Sequence, residues 1–136
     1  MKQEDKELLL KDLCARLPYR VKLQLYNGEL DNDVLNSIDT EEYIIINGKD
    51  DIEKIKPYLY HLSSMTEKQK EELKSLGWNF DNFEIHNVSE CLGTYREYVS
   101  HSDCFVLIDW FNKNHFDSRG LIPMGLAIDA TGLNIY

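Results

Sequence analysis

The sequence lacks any long hydrophobic run, which argues against a membrane-spanning segment. Its longest apolar run, 104–108, has five residues, whereas a helix needs about 20 apolar residues to cross a bilayer. The first six residues are mostly charged, and a signal peptide would need an apolar stretch shortly after them. We therefore expect a cytoplasmic protein with no membrane partner.

Cysteine is scarce. The three cysteines are Cys14, Cys91 and Cys104, and no two of them form a C-x-x-C pair. An odd number at these spacings argues against a disulfide framework or a zinc site. We expect reduced, buried thiols and no cofactor.

Known catalytic motifs are missing as well. The sequence contains no G-x-S-x-G elbow, phosphate-binding loop, dinucleotide fingerprint or H-E-x-x-H motif, and each of these would indicate a particular chemistry. We therefore expect no catalytic residues and lean towards a protein that is not an enzyme.

His115 and Asp117 form the one cluster whose residue types suit catalysis. A histidine and a carboxylate two residues apart could ligate a metal, or act as a base and the group that orients it. No third ligand is indicated nearby, so we interpret His115 as a residue that caps a helix end and favours its dipole. A small hydrolase or metal enzyme using His115 and Asp117 remains an alternative.

The composition is that of one globular domain. Apolar residues make up 43% and aromatic residues 11% of the 136 residues, which is enough to form a core and argues against disorder. No internal repeat or linker-like stretch divides the chain. We expect residues 1–136 to fold as a single domain.

Residues 4–17 have the apolar spacing of a helix that Pro18 terminates. Four residues spaced i, i+3, i+4 and i+7 form its predicted buried stripe: Leu10, Leu13, Cys14 and Leu17. Cys14 is thus expected in the core.

The next segment, 19–26, alternates apolar and polar residues, which predicts a strand. Asn27-Gly28 follows, the pair that best tolerates the positive φ angles of a two-residue hairpin turn. Such a turn would place Leu25 opposite Leu30 and Val21 opposite Val34, and both pairs are apolar.

Later segments complete the predicted fold. A third strand is expected over 43–46, and Asp50 with Glu53 resembles a capping box that opens a short helix to residue 56. Thr66 with Gln69 is a better capping box, for a surface helix that ends at Gly77.

The last predicted helix covers 103–114, with Ser102 as its cap, and the tail from 120 to 136 is expected to form a turn and one strand. The fold class predicted from these elements is α+β, with a small antiparallel β-meander over about 19–46 and about three helices packed on it.

Negative charge is concentrated in one segment, 29–53. It holds nine acidic residues and a single base, Lys49, so it carries −8 of the chain's net charge of −9. Such a segment repels phosphate backbones, and we expect no direct nucleic-acid binding. It either keeps the protein soluble as a solvated rim or binds a cationic partner.

Three stretches are similar to known sequences: 12–19 (DLCARLPY), 57–66 (PYLYHLSSMT) and 115–127 (HFDSRGLIPMGLA). In this order they resemble a recurrent group of short, uncharacterised proteins from gut-dwelling anaerobic bacteria and their phages. The match covers about a quarter of the chain. The resemblance implies an accessory protein of a phage or mobile element, and it implies no residue roles.

The leading hypothesis is a non-enzymatic module that binds a protein with a basic surface. Its candidate contact residues lie in the acidic segment: Asp31, Asp33, Glu41 and Glu42. An alternative is a nucleic-acid mimic that occupies the basic groove of a host protein, which would require carboxylates spaced regularly on a rigid surface.

The predicted turn gives a first test. Gly28→Val places a β-branched side chain where φ is expected to be positive, so it should destabilise the fold by about 1–3 kcal/mol. A thermal melt measures the effect. Unchanged thermal stability would show that Asn27-Gly28 does not form this turn.

Overall fold

The structure is a computed structural model that describes residues 1–24, 33–41, 44–45, 50–76 and 101–136. Within these ranges the chain forms three α-helices and two small β-sheets, which confirms the α+β class. The helices are α1 (Gln3–Arg16), α2 (Glu67–Ser75) and α3 (His101–Lys113). The strands are β1 (Lys22–Gln24), β2 (Asp33–Val34), β3 (Ile38–Asp39), β4 (Ile44–Ile45), β5 (Asp50–Asp51), β6 (Lys56–Leu59) and β7 (Ile128–Asp129).

Helix α1 matches the predicted range of 4–17 closely, but it buries a different face. Its buried residues are Leu9, Asp12, Leu13 and Arg16, again spaced i, i+3, i+4 and i+7 but shifted by one residue. The prediction that Cys14 lies in the core is wrong, because Cys14 is exposed. The cause is a charged pair, Asp12 and Arg16, at two positions of the buried face that an apolar pattern counts as surface.

The first sheet has the strand order β2-β1-β6-β7. Strand β1 lies between β2 and β6 and is antiparallel to both, whereas β7 is parallel to β6. The sheet is therefore mixed, where a purely antiparallel meander was predicted. The chain enters β1 later than expected, because residues Leu17–Tyr19 form a 3₁₀ turn and Arg20 has a φ of 57°.

The register between β1 and β2 differs by one residue from the prediction. Lys22 lies opposite Val34, where the predicted turn placed Val21. In the observed register the N–H of Leu35 donates to the carbonyl of Val21 at 2.9 Å, and both residues are buried. A one-residue shift exchanges the two faces of a strand, so Leu35 takes the core position expected for Val34. The predicted Leu25–Leu30 pair and the Asn27-Gly28 turn lie outside the described residues.

The second sheet, β3-β4-β5, is antiparallel throughout. Strand β4 falls within the predicted third strand. The helix predicted from Asp50 and Glu53 is wrong: Asp50 and Asp51 pair with β4 as strand β5, and Ile52–Lys54 form a 3₁₀ turn that leads into β6. This path buries both Ile52 and Ile55, which explains why pairing prevails over a weak local helix signal.

Helices α2 and α3 pack together in an apolar cluster that also includes Leu62, Met65 and Phe116. The capping box of α2 is confirmed, since the backbone N–H of Gln69 donates to Thr66 Oγ1 at 3.2 Å and the N–H of Thr66 donates to Gln69 Oε1 at 2.9 Å. Leu73 is the buried residue of α2, as expected for a surface helix, and it contacts a cluster that includes Leu107 and Phe111 of α3.

Helix α3 begins at His101, so Ser102 lies inside the helix and is not its cap. The predicted turn and strand after residue 120 are confirmed, with β7 as the strand. Gly77 and residues 78–98, to which no structure was assigned, lie outside the described residues. Within the described ranges, no helix combines the length and apolarity that a bilayer crossing requires.

The rotated face of α1 gives a matched pair of variants. Leu13→Ala removes a fully buried side chain from the main core, so it should lower the free energy of unfolding by about 2–5 kcal/mol. Cys14→Ala, one residue away on the exposed side, should change it by less than about 0.5 kcal/mol. Urea unfolding measures both. Equal losses would contradict the described face of α1.

Candidate functional site

The four acidic residues predicted to bind a partner are only partly described. Asp33 lies on β2, and the side chain of Glu41 is exposed. Asp31 and Glu42 lie outside the described residues.

Strand pairing places other residues of the acidic segment at fixed spacings. Asp39 of β3 lies opposite Ile44 of β4, and Ile44 lies opposite Asp51 of β5. Neighbouring strands are about 4.8 Å apart, so Asp39 and Asp51 are roughly 10 Å apart across β4. Asp50 belongs to the adjacent row, opposite Ile45. These three acidic positions are thus held on a sheet by backbone pairing.

The acidic segment is joined to α1 at its far end. Glu53 Oε1 lies 2.8 Å from Lys6 Nζ. One acidic residue of the segment therefore contacts a base of the same protein.

His115 terminates α3 with its backbone. Its φ of 62° lies in the left-handed region, and two hydrogen bonds of a Schellman motif surround it: His115 N–H to the carbonyl of Asn112 at 3.2 Å, and Phe116 N–H to the carbonyl of Phe111 at 2.9 Å. Glycine usually occupies this position, because a side chain there costs about 1–2 kcal/mol.

The imidazole of His115 stacks on the phenol ring of Tyr136, with ring centroids 3.7 Å apart and planes within 9°. Its Nδ1 is buried and makes no hydrogen bond to any described residue. Burial, together with the charges of Arg16 and Lys22, lowers the pKa of His115 to about 4. The ring is neutral at neutral pH, so the expected interaction of a charged His115 with the helix dipole is wrong.

Asp117 holds the turn that follows. Its Oδ1 accepts the N–H of Leu121 at 2.7 Å and its Oδ2 accepts the N–H of Ile122 at 2.9 Å. Burial raises the pKa of Asp117, and these two hydrogen bonds oppose the rise. Both carboxylate oxygens thus have backbone donors in the turn.

The histidine and the carboxylate consequently serve different local structures. Within the described part of the chain, no three His, Cys, Asp or Glu side chains come together as a set that could hold a metal ion. The residues singled out for chemistry are used to end a helix and to shape a turn.

A buried charge cluster, which the sequence analysis missed, lies where α1 meets the turn that Asp117 holds. Arg16 and Asp12 are fully buried. Arg16 Nε donates to Asp12 Oδ2 at 2.7 Å, and Arg16 Nη2 donates to the carbonyl of Phe116 at 2.6 Å. Arg119 Nε lies 3.5 Å from Asp12 Oδ1. The sequence did contain a signal for this pair, namely an acid and a base four residues apart within an apolar stripe.

A shallow cavity of about 270 Å³ lies beside this region, between β6 and the start of α2. It is lined by Tyr60, Ser64, Thr66, Gln69 and Phe116. Ser64 Oγ donates to the carbonyl of His61 at 2.7 Å, and Thr66 and Gln69 bond to each other in the capping box. The side chains of Ser64, Thr66 and Gln69 are therefore engaged in hydrogen bonds within their own local structures.

Apolar side chains are exposed on α3 and at the end of α2. Phe105 is 65% exposed, Val106 44% and Leu76 43%. Isolated exposed apolar residues are common on monomers.

No protein-family model, curated protein or solved structure matches this chain, so function rests on the geometry of the described residues.

The buried charge cluster gives a sharp stability test. Arg16→Met leaves Asp12 buried without its main partner, which should lower the free energy of unfolding by about 3–5 kcal/mol. Lys6→Met, which removes the partly exposed pair with Glu53, should cost about 1 kcal/mol or less.

Urea unfolding of the two variants measures the difference. The double variant Asp12→Leu, Arg16→Met should lose less than the sum of its single variants, because it leaves no buried charge without its partner. A loss in Arg16→Met no larger than that in Lys6→Met would contradict a buried pair.

Proposed function

We propose that the protein is a non-enzymatic interaction module that binds a basic protein partner through its acidic segment, 29–53. The observation that carries this proposal is the register of the second sheet, which holds Asp39, Asp50 and Asp51 on paired strands. Acidic positions whose backbone is fixed in this way can meet a partner without the chain first being ordered, and such preorganisation lowers the cost of binding.

Charge supports the same proposal. The segment carries −8, and a field of one sign speeds the encounter with a partner of the opposite sign. Glu41 adds an exposed carboxylate at the start of the β3–β4 connection. The partner should therefore present lysine or arginine side chains, and nucleic acid should not bind directly.

The structural roles of His115 and Asp117 support a function other than catalysis. Both groups have structural partners, described above, that a substrate or a metal would have to displace. The hydrolase alternative would require the loss of the two hydrogen bonds that Asp117 accepts, and these hold the chain between α3 and β7.

A nucleic-acid mimic is a second candidate, favoured by one specific feature. Strand pairing fixes the backbone positions of Asp39 and Asp51 roughly 10 Å apart across β4. A mimic would bind in the basic groove of a nucleic-acid-binding protein and compete with its nucleic acid, whereas a general interaction module would not.

Affinity capture identifies the partner. The resemblance to phage and gut-bacterial proteins makes a lysate of the bacterial host the first place to search. This proposal includes a cytoplasmic location for the complex. Addition of nucleic acid then separates the two candidates, because it displaces a mimic from its partner and leaves the complex of an interaction module intact.

The charge of the segment predicts how binding responds to substitution and salt. Changing Asp31, Asp33, Glu41 and Glu42 to the corresponding amides should lower the association rate and reduce its dependence on salt, since exposed charges are screened over roughly 10 Å at 0.1 M salt. Association kinetics at low and high salt measure both effects.

A control variant changes the same number of charges elsewhere. Glu4, Glu7, Glu67 and Glu71 are exposed residues of α1 and α2, and their change to glutamine should leave the salt slope nearly unchanged. If both variants weaken binding equally, net charge is responsible. If neither does, the acidic segment is a solubilising rim and the proposal fails.

A further inference from the structure

The last described residues are held against the first sheet by several contacts, among which the side chain of Tyr136 is central. Residues 130–136, which we name the tail strap, follow β7. The hydroxyl of Tyr136 donates to the carbonyl of Tyr58 at 2.7 Å and accepts the N–H of Lys22 at 2.9 Å. Ala130 and Ile135 are buried against Tyr58. The strap is therefore attached to two strands, β1 and β6, through the ring of Tyr136 and a small apolar cluster.

The other contact of the Tyr136 ring is the imidazole of His115, stacked at 3.7 Å. His115 is fixed by its backbone, because it is part of the Schellman motif at the end of α3 and its carbonyl accepts the N–H of Tyr60 at 2.7 Å. These backbone bonds fix the Cα position of His115, so the imidazole can leave Tyr136 only by rotating about its side-chain bonds.

Two cations and two acids lie around this stack. Lys22 Nζ lies 5.6 Å from the centroid of the Tyr136 ring and donates to the carbonyl of Ile135. Arg16 bonds to the carbonyl of Phe116, the residue after His115. Two acids lie nearby, but Asp12 pairs with Arg16 and Asp117 accepts two backbone hydrogen bonds.

The hydroxyls of Tyr136 and Tyr60 complete these surroundings, and burial raises the pKa of Tyr136. A proton added to His115 would thus create a third cation. Its buried Nδ1 faces no described acceptor.

We propose that His115 is a proton-operated latch, whose neutral ring holds Tyr136 and whose protonation releases the tail strap from the sheet. Release separates the Tyr136 hydroxyl from the carbonyl of Tyr58 and weakens the hydrogen bond from the Ala130 N–H to the carbonyl of Leu59 at 2.8 Å. Two adjacent carbonyls of β6 then become available to another donor.

The direction of the pH effect follows from proton linkage. Burial and the charges of Arg16 and Lys22 lower the pKa of His115 from its usual 6.5 to about 4 while the strap is closed, so an open state that exposes the ring binds more protons between these two values. The latch is fully effective above pH 6.5 and weakens as the pH falls towards 4. The equilibrium constant for opening of the strap can rise by at most about tenfold for each pH unit that the pH falls. Because the ring is partly exposed, we expect this constant to rise roughly tenfold in total from pH 7 to pH 5.

Amide hydrogen exchange tests the latch in the intact protein. Two amides report the strap directly, those of Lys22 and Ala130, and the amide of Leu35, bonded to the carbonyl of Val21, serves as the reference. After correction for intrinsic exchange rates, protection at Lys22 and Ala130 should fall about tenfold between pH 7 and pH 5, with no change at Leu35. Amides of Leu121 and Ile122 report titration of Asp117 separately.

The matched variant is His115→Asn, since asparagine tolerates the left-handed backbone and does not titrate. Its strap should exchange faster than the wild-type strap at pH 7 and show no further dependence on pH. If its amides keep the wild-type pH dependence, or if the wild-type strap amides do not respond to pH, the latch is refuted.

A second variant covers the case in which His115→Asn does not fold. Tyr136→Phe keeps the stacked rings but removes both hydroxyl hydrogen bonds, so the strap should open more readily and the midpoint for protonation of His115, followed by its ring resonances, should move up towards 6.5. An unchanged midpoint in Tyr136→Phe would show that His115 and the strap are not coupled, which overturns the proposal.

Discussion

The ion pair between Asp12 and Arg16 is the interaction on which the arrangement of the described residues depends. Both side chains are fully buried, and removing two charges from water is costly unless their geometry and hydrogen bonds compensate. Compensation comes from three parts of the chain: Asp12 on α1, the carbonyl of Phe116 after α3, and Arg119 in the following turn. These parts can therefore not shift independently, and α1 is rotated so that its charged pair faces inward.

The residues 115–117 form the junction that receives this pair. His115 ends α3, the carbonyl of Phe116 accepts from Arg16, and Asp117 shapes the next turn. Each of the three is held by a different hydrogen bond, which explains how residue types common in active sites serve structural purposes here. Their chemistry is still used: neutrality of the histidine and the two acceptor oxygens of the carboxylate are what the junction requires.

Features set by neighbouring residues were predictable from the sequence, and features set by distant pairing were not. The capping box of Thr66 and Gln69 and the extent of α1 depend on local contacts, and both predictions are confirmed. The similar pattern of Asp50 and Glu53 failed because those residues pair with β4.

The same distinction explains the remaining misses. The prediction of the buried face of α1 was wrong because hydrophobicity alone cannot reveal that Arg16 donates to an acceptor 100 residues away. At the candidate site, residue types pointed to His115 and Asp117, but their partners Tyr136, Leu121 and Ile122 become visible only in the folded chain. The acidic segment was evident from composition, whereas its spacing across strands required the register.

The parallel pairing of β7 with β6 has a consequence for the order of folding. Tyr58 pairs with Ile128, 70 residues later in the chain, and contacts of such long range form slowly because a large loop must close first. Strands β1 and β6, separated by far fewer residues, can pair earlier. During synthesis β6 therefore has an open edge until β7 has left the ribosome, and an open edge can pair with another chain. Aggregation of this protein should thus be most sensitive to how quickly residues 128–136 reach the sheet.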